Sequence, residues 1–385
     1  MTARPLAASQ GNRFDRLEWA GAFGDLGTLI PFVVAYISLL KVDPCGMLFA
    51  FGFAMIAAGL YYRTPFPVQP MKGVGAIATT QAAQTALITP GAVCAAGFVT
   101  GAIWLVLGLT GATGRVVRLI GRPVAVGIIL GLGFGFMLEG IRMMAANWWL
   151  GIAGLAGTLV LLDNRAIPAM FLLLLFGAAS AVAIQPDLIG VLAQVGIEPR
   201  MPQFTPGSFG WSDIVVGTLF LALPQLPLTL GNAIVATTEE NNRLFPDRAV
   251  TESGVSVSTG VLNLFGASVG GVPMCHGAGG MAGHVRFGAR TGGAPIILGG
   301  ILIIAALFFS ASIETLLKVF PTPILGVILF LTGAQLALGS CDFSKDKGER
   351  FVTLITAAFA VWNVGAAFLI GLAAFHAHKR GLFRL

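Results

Sequence analysis

Long apolar runs, broken by short polar or proline- and glycine-containing punctuation, fill the chain almost from end to end. An apolar stretch of about 20 residues is long enough to cross a hydrocarbon core of about 30 Å as a helix. The pattern predicts fourteen spans, near 20–40, 45–62, 71–87, 91–112, 122–140, 145–162, 166–184, 212–237, 250–266, 273–288, 293–310, 322–340, 350–362 and 363–378. Several are too short for a simple crossing. The third and tenth stand out because each opens on a proline-interrupted, glycine-rich stretch. The first reads Pro67-Val68-Gln69-Pro70-Met71-Lys72-Gly73-Val74-Gly75-Ala76, and the second Gly271-Val272-Pro273-Met274-Cys275-His276-Gly277-Ala278-Gly279-Gly280. Proline lacks a backbone donor and disfavours helix in the residue before it, so each segment should enter extended and become helix afterwards. A half-helix that begins at membrane depth presents unpaired N–H groups and the positive end of its dipole, an arrangement that binds anions.

The two Pro-Met pairs also have company. Pro70 and Pro273 lie 203 residues apart; Asp25-Leu26-Gly27-Thr28 and Thr229-Leu230-Gly231-Asn232 lie 204 apart. Arg122-Pro123-Val124-Ala125 and Thr322-Pro323-Ile324-Leu325 lie 200 apart. Three matches in order at nearly constant spacing indicate an internal repeat. Seven spans per half is an odd number, so the second half must run opposite to the first. The expected architecture is an all-α polytopic membrane protein with a 7+7 inverted repeat: residues 1–184, a polar extracellular or periplasmic join over 185–211, and residues 212–385. Interrupted segments at corresponding places in such halves point to the binding site of a secondary transporter.

Composition agrees with a membrane protein. The chain has 385 residues, of which 56% are hydrophobic and only 10% charged, against about 25% charged in a soluble domain. Its 52 glycines suit close-packed membrane helices. Cys45, Cys94, Cys275 and Cys341 are scattered without CxxC spacing and read as small packing residues. The first sixteen residues lack an apolar run followed by a cleavage site, so no cleavable signal peptide is expected. The net charge of +6 reads as topology and not as nucleic-acid binding. With the N-terminus inside, eighteen of the 23 Lys and Arg fall on the cytoplasmic side; Lys41, Arg142, Arg200 and Lys318 fall outside, and Lys72 lies within the membrane. The positive-inside rule then places both termini in the cytoplasm of an inner (plasma) membrane protein.

Candidate chemistry gathers at the interruptions. An intramembrane lysine is expensive unless paired or solvated, so Lys72 is a substrate-site candidate, with snorkelling to the surface as the alternative. Met71, Gly73, Cys275 and Gly277 flank the two helix starts. Gln69, Gln225 and Asn232 can give amide N–H groups to an oxyanion, and Thr28 and Thr229 hydroxyls. Gln225 sits in Pro224-Gln225-Leu226-Pro227, whose prolines should loosen the eighth span. Asp25 is the acid well inside the first span; it suits a counter-charge for Lys72, a coupling-proton carrier or a helix cap. Cys275-His276 invites a metal reading, but soft metals want several convergent ligands. His276 is therefore assigned as a hydrogen-bond donor, with no metal and no cofactor. Glu239-Glu240 and residues 345–350 read as solvated loop faces. No Ser/His/Asp set, HExxH or convergent carboxylate pair points to an enzyme.

At these residues the chain resembles the molybdate transporter family related to sulfate permeases. The resemblance lies in Phe23-Gly24-Asp25-Leu26-Gly27-Thr28, Pro67-Val68-Gln69-Pro70-Met71-Lys72-Gly73, Pro224-Gln225-Leu226-Pro227-Leu228-Thr229 and residues 273–283, and it runs over nearly the whole chain. It implies the fourteen-helix fold shared with sulfate and uracil-type permeases, split into core and gate domains, with substrate between the starts of the third and tenth helices. It also implies that the protein forms homodimers. Sulfate permeases usually carry a soluble cytoplasmic domain after the membrane part; the sequence ends at Leu385, so the expectation is the molybdate branch without regulation through such a domain. The expected activity is import of a tetrahedral oxyanion, molybdate, by alternating access, with protons or sodium as coupling ion. A sulfate permease of the same fold and an anion channel are the alternatives.

Overall fold

In the computed structural model, residues 11–38, 40–71, 74, 88–118, 121–161, 168–339 and 344–382 are described. Helices occupy thirteen of the fourteen expected spans. In chain order they are Arg16–Ala22 running through the tight turn Phe23–Asp25 into Leu26–Ser38, then Pro44–Tyr62, Pro90–Leu109, Arg122–Met144, Trp148–Leu161 and Ala169–Ile184. The second half has a long helix from Trp211 to Leu244, then Glu252–Ser268, Ala278–Arg286, Gly293–Phe309, Thr322–Gly339, Lys347–Trp362 and Val364–Lys379. Of the third span, only Met71 and Val74 are described. Among the described residues, Arg16–Val34, Pro44–Tyr62, Pro90–Leu109, Arg122–Leu161 and Gly293–Leu317 are long and apolar enough to cross a membrane.

Two sets of helices pack side by side. In one, Pro44–Tyr62 lies along Gly293–Phe309 and Pro90–Leu109 along Glu252–Ser268; in the other, Arg122–Met144 lies along both Thr322–Gly339 and Lys347–Trp362. Lipid offers no hydrophobic drive between helices, so close backbone approach carries the packing. Gly133 and Gly333 meet backbone to backbone: a Cβ on Gly133 would stand 2.8 Å from the Gly333 carbonyl, and one on Gly333 would stand 2.5 Å from that of Gly133. Gly140 and Gly326 repeat the contact two turns away, at 2.7 Å in both directions. Gly52 and Gly299 do the same in the first set, at 2.6 and 2.5 Å.

One expectation needs correction. The eighth span does not end near residue 237 in a solvated loop; the helix continues to Leu244. Glu240 is only 1% exposed there and pairs with Arg243 at 2.7 Å. An acid and a base three positions apart share one helix face, and the Thr64 hydroxyl docks the turn by donating to Asn241 at 2.8 Å. The join over 185–211 is mostly exposed. It carries a short helix, Leu188–Ala193. The backbone N–H groups of Glu198 and Arg200 then cap the end of Gly293–Phe309 by donating to the carbonyls of Phe308 and Leu307, at 2.9 and 2.8 Å.

Candidate functional site

The two Pro-Met segments, distant in sequence, pair in space. Gln69–Pro70 (β1) and Met274–Cys275 (β2) form a two-stranded antiparallel ladder, with Gln69 opposite Cys275 and Pro70 opposite Met274. The Met71 N–H donates to the Pro273 carbonyl at 2.9 Å. Strands this short leave backbone groups to satisfy, and a buried side chain does it. Asn263 accepts from the Met274 N–H at 2.9 Å and donates to the Met274 carbonyl at 2.5 Å.

Beside the ladder sits a buried polar cluster. The tight turn Phe23–Asp25 brings the Asp25 carboxylate against Gln69, whose amide Nε2 donates to Asp25 Oδ1 and to the Thr28 hydroxyl oxygen, the latter at 2.5 Å. The Thr28 hydroxyl itself donates to the Asp25 carboxylate or backbone carbonyl. Asp25, Gln69 and Thr28 are 0%, 1% and 5% exposed. The first turn of Ala278–Arg286 touches this cluster, since a Cβ on Gly280 would stand 2.8 Å from Gln69 Nε2 and 3.0 Å from Asp25 Oδ2. Gly277 starts that helix in an extended conformation with no side-chain cap, and a Cβ there would collide with Gln69 Oε1 and stand 3.9 Å from Asn232 Nδ2. Phe136, from the other helix set, covers Gly279, with its Cζ 2.8 Å from where a Cβ would be. The helix start therefore lies where the two sets of helices meet.

The eighth span contributes the opposite wall. Its segment Leu223–Leu228 is flanked by two wide turns, Gly217–Ala222 and Thr229–Ala236, with the π-helical pattern. Missing N–H groups at Pro224 and Pro227 break the regular ladder there, and such bulges often mark functional sites. Gln225 accepts from the Val74 N–H at 3.1 Å and donates to Thr229 at 3.0 Å. Asn232, in the second wide turn, is half-buried.

The structure thus brings Asp25, Gln69, Gln225, Thr229, Asn232 and Gly277 together around the ladder. Met71 is fully buried, its sulfur 4.0 Å from the Thr229 hydroxyl. Cys275 is buried. Lys72 and Gly73 lie outside the described residues. His276 has both ring nitrogens engaged by protein: Nδ1 donates to the Pro67 carbonyl at 2.8 Å, and Nε2 meets the Ser258 hydroxyl at 2.8 Å. Both amide hydrogens of Gln69 are taken as well, by Asp25 and Thr28. Sequence reasoning missed Asn263 and Ser258; the signal for Asn263 is an isolated polar residue in an apolar run, whereas Ser258 sits in a Ser/Thr-rich turn that singles out no member. Among the described residues no three His, Cys, Asp or Glu converge as a metal site.

An uncapped helix start, clustered amides and hydroxyls, and one carboxylate are the equipment of an anion site that can also hold a proton. Comparison with known proteins gives the family and the fold. A family described as a molybdate transporter of the MFS superfamily matches residues 17–136 and 217–336. Molybdate transporter 2 of Arabidopsis thaliana is 33% identical, with 92% of this chain and 85% of that protein covered. Molybdate transporter 1 of Chlamydomonas reinhardtii is 29% identical, covering 92% of this chain and 90% of its own. Among solved structures, the murine Slc26a9 anion transporter in the inward-facing state is similar over 99% of this chain and 70% of its own, with a TM-score of 0.64 at 12% identity. The transmembrane domain of a cyanobacterium bicarbonate transporter, BicA, covers 94% of this chain and 98% of its own, with a TM-score of 0.56 at 14% identity. The chain therefore belongs to the molybdate transporter family: it is an integral membrane anion transporter and not an enzyme.

Proposed function

We propose that this protein is a secondary active transporter that imports molybdate by alternating access, with a proton as the coupling ion. The observation that carries the reading is the pairing of the two Pro-Met segments beside the uncapped helix start at Gly277, with Asp25 bound to Gln69 at the same place. A tetrahedral dianion accepts hydrogen bonds on every face. It takes backbone N–H groups from the half-helices that follow Met71 and Met274, with amides of Gln69, Gln225 and Asn232 turning toward it and Lys72 adding a full positive charge.

The carboxylate supplies the coupling. A proton on Asp25 removes the repulsion that its carboxylate would exert on a dianion bound beside it. Bringing a dianion in against an inside-negative potential costs about 2.3 kcal/mol per charge per 100 mV, and one accompanying proton removes half of that. The core, built from the helix sets around Pro44–Tyr62 and Gly293–Phe309, then moves against a gate built around Arg122–Met144 and Thr322–Gly339, with Phe136 on Gly279 at their junction.

The inverted 7+7 repeat is part of the same reading. The two matched family stretches are displaced by 200 residues, and so are Gly133 and Gly333, which touch each other as residues on a pseudo-two-fold axis would. Both termini lie in the cytoplasm, and the protein works as a homodimer in the inner membrane.

Uptake of labelled molybdate into proteoliposomes, with excess sulfate or tungstate and with or without an imposed proton gradient, tests this function. The expected result is tight uptake that resists sulfate, yields to tungstate and grows with inward protons. Equal competition by sulfate would reassign the substrate to sulfate-type anions. Electrical current far above carrier turnover would make the protein a channel.

A further inference from the structure

His276 does more than hold its segment in place. Its Nδ1 faces a carbonyl, that of Pro67, which can only accept, so Nδ1 carries the hydrogen and Nε2 offers the lone pair. That lone pair meets the Ser258 hydroxyl at 2.8 Å, and Ser258 in turn meets the Tyr62 hydroxyl at 2.6 Å. Beyond them opens a cleft of about 290 Å³ between Pro44–Tyr62 and Glu252–Ser268, lined by Ala57, Ala58, Tyr61, Tyr62, Val257 and Ser258. An unbroken chain of hydrogen bonds therefore joins a surface cleft to a fully buried imidazole next to the helix start at Gly277.

The chain can take an extra proton without losing a bond. Ser258 Oγ also lies 3.0 Å from the Val255 carbonyl. When Nε2 gains a hydrogen and becomes a donor, the Ser258 hydroxyl turns to Val255 and accepts from the ring. The proton moves by relay: a hydronium ion entering the cleft gives its proton to Tyr62 Oη and leaves as water, Tyr62 passes its own hydrogen to Ser258 Oγ, and Ser258 passes its own to Nε2. Release runs the same steps backwards.

The geometry points to His276 as a second proton site of the transport cycle, emptied into the cleft through Ser258 and Tyr62. This rests on the proton-coupled reading above. The ring is packed among neutral groups: the Phe66 ring 4.7 Å away, the Tyr62 phenol and the Ser258 hydroxyl. Among the described residues, its titratable neighbours are the Tyr62 phenol, the Cys275 thiol in its own segment and Asp25, which Gln69 binds. The ring stands beside the helix start at Gly277, so a proton carried on it attracts a dianion bound there and ties the two sites together. Tyr62 ends its helix at Arg63, on the face that the charge bias assigns to the cytoplasm, so the proton leaves on the side where the anion does.

Ser258→Val and Ser258→Thr are isosteric with each other, and only the second keeps the hydroxyl. Both are reconstituted with a pH-sensitive dye inside and assayed with labelled molybdate, in net uptake and in molybdate-for-molybdate exchange, which moves no net proton. Ser258→Val should slow net uptake and interior acidification about tenfold or more while exchange keeps its normal rate, and Ser258→Thr should restore both. Parallel loss of exchange and net uptake in Ser258→Val would make the chain a mere strut. Normal net uptake in Ser258→Val, with acidification intact in the unmodified protein, would overturn the relay alone. Molybdate uptake without acidification in the unmodified protein would overturn proton coupling itself, and the relay with it.

Discussion

His276 donates its Nδ1–H to the carbonyl of Pro67 at 2.8 Å and so ties the second Pro-Met segment to the first. The bond joins residues that stand 209 positions apart in the chain. With the Met71-to-Pro273 backbone bond and the Asn263 bracket on Met274, it fixes the two Pro-Met segments as one unit. A site assembled this way is set by its frame more than by any single ligand, and its parts can be tested one by one.

Gln69→Ala removes the amide that binds Asp25 and Thr28. Leaving buried partners unsatisfied costs about 1–3 kcal/mol, so a drop in thermal stability in detergent should accompany severe loss of molybdate uptake. Asp25→Asn keeps the shape and removes the exchangeable proton. Its uptake should lose the response to an imposed proton gradient, and a retained response would remove Asp25 from the coupling step.

Glu18 is a second, structural carboxylate. It is fully buried and accepts from the backbone N–H groups of Arg290, Thr291 and Ala294 at 2.9, 3.0 and 3.1 Å. It thereby caps the start of Gly293–Phe309, where Gly292 offers no side-chain cap of its own. Glu18→Ala strands three buried donors, and a loss of about 3 kcal/mol or more is expected in thermal or denaturant unfolding. A near-normal melting temperature would contradict that role.

At the Gly133–Gly333 contact there is no room for a side chain. Gly333→Ala puts a Cβ 2.5 Å from the Gly133 carbonyl, which forces the helices apart at a cost of about 1–3 kcal/mol. Gly300→Ala, on the same kind of helix but with open space around it, should melt like the unmodified protein.

The Asp346 carboxyl is held below the usual carboxylate range chiefly by the Glu349 N–H, and further by His378 at 3.0 Å. A depressed carboxyl stabilises the folded state above its ordinary pKa, and that contribution fades as pH falls through the folded value. Melting of the unmodified protein should therefore show an acid-side loss that is smaller in Asp346→Asn, whose amide still caps Lys347–Trp362 but carries no charge. Identical acid profiles for the two proteins would refute this.

Much of the site was legible because its signals are local. Proline punctuates an apolar run whatever surrounds it, and that alone marked Gln69-Pro70-Met71 and Pro273-Met274 as extended helix entries. A lone acid in a span, such as Asp25, declares itself in the same way. The helix positions followed from hydropathy for a similar reason: the span length answers to the thickness of the bilayer, not to the packing of neighbours.

Partners could not be read in this way. Sequence marked Gln69 as an amide donor without naming what it meets, and the fold places its Nε2 on Asp25 and Thr28. It offered Glu240 to solvent, and the fold buries it against Arg243. It marked His276 as a hydrogen-bond donor to ligand or helix, and the fold sets its Nδ1 on Pro67 and its Nε2 on Ser258. A buried polar group must find a partner, but which one it finds depends on what packing brings within about 3 Å. The chain by itself therefore settled the membrane class, the two broken segments and the polar residues available to them. Only the tertiary structure decided which of those residues satisfy one another, because their partners arrive from spans far away in sequence.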